Sequence, residues 1–194
     1  PPPTPTAEPP AKLRAKAITR AAAEQWKLGN KQAALGLFQD AYREFPTSGG
    51  LLNLAMAERD LGLLVDAADH YRRFLEAPDR DTSRDASATT ALGELRAQLG
   101  EIVFDVTTAT DEPVQIALDG EAWRELPARR AVLVMPGTHV VLARGGGGDR
   151  RFEQSVDLAA AGTVTLTIAL ISEPATPPPP PVAQPIVETP EPGP

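Results

Sequence analysis

Cysteine is absent from all 194 residues, which removes disulfides, thiol nucleophiles and cysteine-ligated zinc together. Aromatic residues are scarce as well, at 5%, so any core has to be assembled mainly from Ala, Val and Leu. No apolar run approaches the ~18–20 residues of a membrane-spanning helix. Nor do basic residues predominate: 19 Lys and Arg stand against 26 Asp and Glu, a net charge of −7. That balance excludes a general nucleic-acid binder, which needs a basic surface facing the phosphates. The opening residues hold no Met and no charged-then-apolar leader. They read as the start of a processed product or excised segment, with any signal or anchor lying elsewhere.

Proline is abundant, and unevenly so. Of 21 prolines, six fall in residues 1–10 and ten in residues 172–194. Such stretches cannot bury enough apolar surface to pack, so they read as a Pro-rich tail (1–10) and a Pro-rich linker (172–194). At ~3.1 Å per residue the linker spans at most roughly 70 Å, and the prolines at 177–181 read as a spacer. Between the two, the pattern changes near Gly100. Residues 11–100 carry a net charge of +1 and are rich in Ala, Leu, Gln, Glu and Arg at helical spacing. Breaks at Gly29-Asn30, Pro46–Gly50, Gly62 and Pro78–Thr82 predict five helices, near 11–28, 31–45, 49–61, 64–77 and 83–99. Residues 101–171 carry a net charge of −4 and alternate with period two. Ile102, Phe104 and Val106 form one inward set, Val114, Ile116 and Leu118 a second. Phe152, Val156 and Leu158, then Val164, Leu166, Ile168 and Leu170, follow. Short alternating strands cut by Asp119-Gly120, Pro136-Gly137 and Gly145–Gly148 predict a small antiparallel β-sandwich of about seven strands. The expected fold class is therefore multidomain, all-α (11–100) followed by all-β (101–171).

Catalytic chemistry finds little support. His70 and His139 fall in different domains, and neither has a second ligand at metal spacing. Gly145–Gly148 lack the Gly-Lys-Ser/Thr of a phosphate cradle and precede a strand, so they read as a hairpin tip. Asp111-Glu112 and Asp119-Gly120-Glu121 are turn acids without the regular spacing of a calcium loop. Thr82-Ser83-Arg84-Asp85 reads as helix-capping chemistry. No nucleophile, base and orienting group can be grouped, so no enzyme, no metal and no cofactor is expected.

The helical half repeats. Residues 21–46 align with 54–78 at an offset of 33: Ala22 with Ala55, Leu28 with Leu61, Gly29 with Gly62, Ala34 with Ala67, and Phe38 with Tyr71. Each unit closes on a proline, Pro46 or Pro78. Small residues (Ala22, Ala34, Ala41, Ala55 and Ala67) let two antiparallel helices approach closely, and the glycines permit the turn between them. This resembles the tetratricopeptide repeat, whose period is about 34. The usual aromatic after the turn glycine is replaced by Lys31 and Leu64, and Phe74 stands where a small residue is usual. The helix at 83–99 would cover the exposed last face. In that family the first helix of each hairpin lines a concave, ligand-binding face. The resemblance places Lys16, Thr19, Ala23, Trp26 and Lys27 there from the first unit, and Leu52, Asn53, Met56 and Arg59 from the second. Trp26 and Met56 are then apolar anchors for an extended peptide, with Lys27 and Arg59 steering acidic segments. The alternative is that both anchors pack within the fold. The family's clamp for a C-terminal carboxylate is not expected, because Thr19 and Ala23 replace its Lys and Asn.

Residues 102–170 resemble a PEGA-type domain, a small sandwich of bacterial envelope proteins. The resemblance rests on V-Q-I-A-L-D-G (114–120), on M-P-G-T-H (135–139) followed by V-V-L-A-R, and on the final strand ending Ile-Ala-Leu. The naming tetrapeptide is replaced by T-D-E-P (110–113), and an Ig-like or transthyretin-like sandwich is the competing label. Repeats followed by such a sandwich and a Pro-rich stretch are similar to a myxobacterial-type envelope architecture. The segments L-L-N-L-A-M-A-E-R-D-L-G (51–62) and Tyr71-Arg72-Arg73-Phe74-Leu75 fit that group. What this implies is a non-enzymatic, periplasmic or cell-envelope scaffold that binds a protein or peptide partner. It implies no nucleic acid, and a membrane only through an anchor outside this segment. Two rival readings are a sensory ectodomain of a membrane receptor or kinase, and a wall- or glycan-binding module. The last needs exposed aromatics on a sheet face, for which only Trp123 and Phe152 are available.

Overall fold

The apolar spacing of residues 10–96 resolves into five helices in the computed structural model, which describes residues 8–107, 113–126, 131–145 and 150–172. They are α1 (Pro10–Lys27), α2 (Lys31–Glu44), α3 (Ser48–Asp60), α4 (Leu64–Glu76) and α5 (Asp85–Arg96). Two short turns pair α1 with α2 and α3 with α4. In each, the glycine takes a left-handed conformation, Gly29 at φ 82° and Gly62 at φ 77°. Neither glycine is crowded, so it is the backbone angle rather than space that calls for glycine. The alanines that align across the repeat, Ala22 with Ala55 and Ala34 with Ala67, are all fully buried. A side chain larger than a methyl there would force the helices apart.

Entry into α3 is defined by two side chains. Thr47 caps it, its hydroxyl accepting from the Gly50 N–H at 3.0 Å. A Cβ on Gly50 would stand 2.9 Å from Cδ2 of Tyr42, so glycine makes room for that ring. After α4, Asp81 rather than Thr82 supplies the cap: it accepts from the Ser83 N–H at 3.1 Å and the Ser83 hydroxyl at 2.6 Å. Residues Thr82–Arg84 form a 3₁₀ turn, and α5 is accordingly shorter than the expected 83–99.

Gly100 opens the first of eight described strands: β1 (Gly100–Thr107), β2 (Gln115–Leu118), β3 (Arg124–Glu125), β4 (Ala131–Val134), β5 (Gly137–Arg144), β6 (Arg150–Leu158), β7 (Thr163–Ala169) and β8 (Ile171–Ser172). They form a three-stranded sheet, β4-β1-β7, and a five-stranded sheet, β3-β2-β5-β6-β8. One expectation is corrected. The sandwich is not wholly antiparallel, because β1 and β7 run parallel from Glu101↔Thr163 to Thr107↔Ala169. The physical reason is connectivity. Every strand from β2 to β6 intervenes, and the chain returns through the other sheet before re-entering beside β1 in the same direction. Ile102 and Phe104 of β1, Ile116 of β2, Val141 of β5, and Leu166 and Ile168 of β7 meet in the core between the sheets. The Pro-rich stretches (1–7 and 173–194), Asp111-Glu112 and Gly146–Gly148 of the expected hairpin tip lie outside the described residues.

The two halves touch. Leu99 is buried in the helical core and Leu133 of β4 packs against that core, while Val134 belongs to the sandwich core. The Ala161 N–H donates to the Leu99 carbonyl, and the Glu101 N–H to that of Gly162, both at 2.8 Å. No described helix is long and apolar enough to cross a membrane.

Candidate functional site

A cavity of about 850 Å³ opens between α1, α2, α3 and the 3₁₀ turn. Six of the nine residues expected to face a partner line it: Lys16, Thr19 and Ala23 from α1, and Leu52, Asn53 and Met56 from α3. Helical spacing accounts for the grouping, since 16, 19 and 23 and 52, 53 and 56 each share one face. Met56 is the apolar group most available to a ligand, at 49% exposure.

The other three are placed elsewhere. Trp26 packs, half-buried, against a small core of Leu35, Leu54 and Ala57, with Lys31 Nζ 5.2 Å from its ring centre. Lys27 pairs with Glu24 at 2.9 Å on the surface, and Arg59 Nε lies 4.0 Å from Asp60. None of the three lines the cavity.

Sequence spacing had not singled out Lys12 and Arg20, which continue the row begun by Lys16 along α1, nor the aromatic wall of Phe38, Tyr42 and Phe45. The signal was present: 12, 16 and 20 differ by four, and 38, 42 and 45 by four and three. Glu8, just ahead of α1, receives the Lys16 ammonium on both carboxylate oxygens at 2.6 Å. Lys12 Nζ stands 3.2 Å from Oε1 of the same group. Hydrogen bonds from Lys16, then from Lys12, hold the Glu8 carboxyl below its ordinary 4.5.

Both histidines are built into acid pairs. His70 Nδ1 lies 2.6 Å from Oε2 of Glu58, a carboxylate buried within α3. His139 is held at both ring nitrogens: Nδ1 lies 2.7 Å from Asp119 Oδ2, and Nε2 lies 2.6 Å from the Met135 carbonyl. Both of these neighbours only accept, so the two bonds form together only when the ring carries both protons, as the imidazolium. The other oxygen of Asp119 accepts from the Val140 N–H at 2.8 Å. The pair thus ties the Asp119-Gly120 turn to β5. Among the described residues no group of three or more His, Asp or Glu is placed to hold a metal ion. Trp123, 38% exposed, is covered on one face by the Arg144 guanidinium at 4.3 Å. No protein-family model matches the chain, and a search of curated proteins finds no similar sequence.

Proposed function

We propose that this protein is a non-enzymatic scaffold or adaptor working outside the cytoplasm, in the periplasm or cell envelope. In this reading, two helical hairpins of the tetratricopeptide kind hold an extended segment of a partner protein. A PEGA-like sandwich gives the assembly a rigid second face, and the Pro-rich stretches act as spacers. The observation that carries the reading is the groove itself. An open cavity of about 850 Å³ gathers Thr19, Ala23, Leu52, Asn53 and Met56 from two first-of-hairpin helices. A hydrophobic thioether beside an amide and a hydroxyl suits a peptide that offers an apolar side chain and its backbone.

The test pairs capture with folding. Wild type and Met56→Ala are used to capture partners from an envelope extract, the captured protein is identified, and its affinity is measured with purified components. Met56→Ala is expected to weaken binding about tenfold, as for an anchor at an interface. Its melting temperature should hold, because Met56 is largely exposed. Undiminished affinity, or a tagged product that fractionates with the cytoplasm, would overturn the proposal.

A further inference from the structure

Lys12, Lys16 and Arg20 stand four residues apart on α1 and line one wall of the groove. At 1.5 Å per residue the row covers about 12 Å. One carboxylate already sits on it: Glu8 bonds to Lys16 and Lys12. Arg20, one turn farther along α1 than Lys16, has no ion pair among the described residues. The α2 side of the groove is aromatic, with Phe38, Tyr42 and Phe45. Its far end carries Asp79 and Asp81, with Arg84 3.9 Å from Asp81, so the positive side of the groove is the α1 wall.

We propose that the groove takes an extended, proline-rich partner peptide bearing two or more carboxylates, and that Glu8 is a built-in competitor which this peptide displaces from Lys12 and Lys16. This deepens the adaptor reading and rests on it. A polyproline II strand has three residues per turn and rises ~3.1 Å per residue. Carboxylates three residues apart therefore share one side at about 9 Å, within side-chain reach of a cation row of this length. The proline rings then lie toward the aromatic side, the mode by which aromatic-lined grooves hold such strands with little ordering cost. Glu8 and its two lysines are substantially exposed, and pairs so exposed are held weakly. An incoming ligand carboxylate can replace Glu8 without leaving a buried charge behind.

The test uses the full chain and fluorescein-labelled synthetic octapeptides, followed by fluorescence anisotropy at low salt. The acidic probe has the sequence Pro-Pro-Glu-Pro-Pro-Glu-Pro-Pro, and the neutral control carries Gln in place of both Glu. The acidic probe is expected to bind at least about tenfold tighter than the control, and the gap should close as salt rises. Glu8→Gln should tighten the acidic probe about threefold, the scale of an exposed pair, and leave the control unchanged. Lys16→Glu should abolish the preference. An unchanged or weakened acidic probe in Glu8→Gln overturns the inference, as does equal binding of the two probes. If the probes bind equally and both are lost in Met56→Ala, the groove stands and only its acidic specificity falls. If neither probe binds wild type or Glu8→Gln but partner affinity still depends on Met56, the inference again falls alone. If partner affinity is indifferent to Met56 as well, the adaptor reading falls with it.

Discussion

Ala67 has no exposed surface, and its methyl group sits where α4 meets its neighbours. Ala67→Leu should therefore overpack the hairpin and cost on the order of 1–3 kcal/mol in urea denaturation. Ala23→Leu, at the half-exposed groove wall, should cost less than about 0.5 kcal/mol. Equal losses at both positions would contradict the packing described. At the sandwich, the His139–Asp119 pair makes stability depend on pH. Burial opposes the charged His139 ring, but its hydrogen bonds to Asp119 and the Met135 carbonyl outweigh this and raise its pKa above 6.5. A raised histidine contributes stability that is full below 6.5 and is lost as pH climbs through the folded-state value. Burial likewise opposes the Asp119 carboxylate, but bonds from His139 and the Val140 N–H lower its pKa below 3.8. That contribution is present above 3.8 and is lost as pH falls through the folded value. The pair is thus strongest from about pH 4 to 6.5. Because Asp119 is partly solvated, His139→Gln is expected to cost only about 1 kcal/mol at pH 5.5 and less at pH 9. Melting curves at the two pH values, with an NMR titration of the ring, check both sign and size.

Each helical hairpin depends on one unusual backbone angle and a stack of small side chains, and both recur 33 residues apart. Gly62→Ala places a Cβ in the left-handed region at φ 77° and should destabilise by about 1 kcal/mol, although nothing nearby would clash. Gly49→Ala lies inside α3 with open space around it, so it should be neutral or slightly stabilising by helix propensity. Thermal melts of the two variants separate backbone strain from steric crowding, and equal shifts would contradict this account. These elements were legible because they rest on local rules: the 3.6-residue period, the turn glycine and the closing proline. Strands β1, β2, β6 and β7 were equally plain from their alternation, whereas β4, an unbroken apolar run, was not. The site was legible only in part. The resemblance to the tetratricopeptide repeat picked out residues 16, 19, 23, 52, 53 and 56, and these six line the groove. Trp26 belongs to the same sequence pattern, yet it packs toward Leu35 and Leu54, because α2 and α3 close over that end of α1. Spacing along one helix says which residues share a face, not which neighbour reaches that face first.

At the scale of the whole molecule, β4 joins the halves. Its apolar run Ala131–Val134 is covered on both sides, Leu133 packing against the helical core while Val132 and Val134 pack against the sandwich. Residues 101–171 close their own core, so this fragment alone should still give a β-type circular dichroism spectrum. A disordered spectrum would show that the helices are needed to fold it. Leu133→Ser should cost about 1–2 kcal/mol in the full chain, because it removes apolar burial against the helices. In the fragment, where the helices are missing already, the same change should be nearly neutral. Similar costs in both would place Leu133 within the sandwich instead.

The order of helices then strands, the repeat and its turns, and the inward faces of the strands were determined by sequence, because hydrophobic period and turn chemistry act over a few residues. The parallel β1–β7 pair, the double coverage of β4 and the diversion of Trp26 from the groove were decided only by tertiary structure. Each depends on which distant segment arrives alongside. That is set by chain connectivity and by competition among apolar faces for the same partner, and neither leaves a local mark in the sequence.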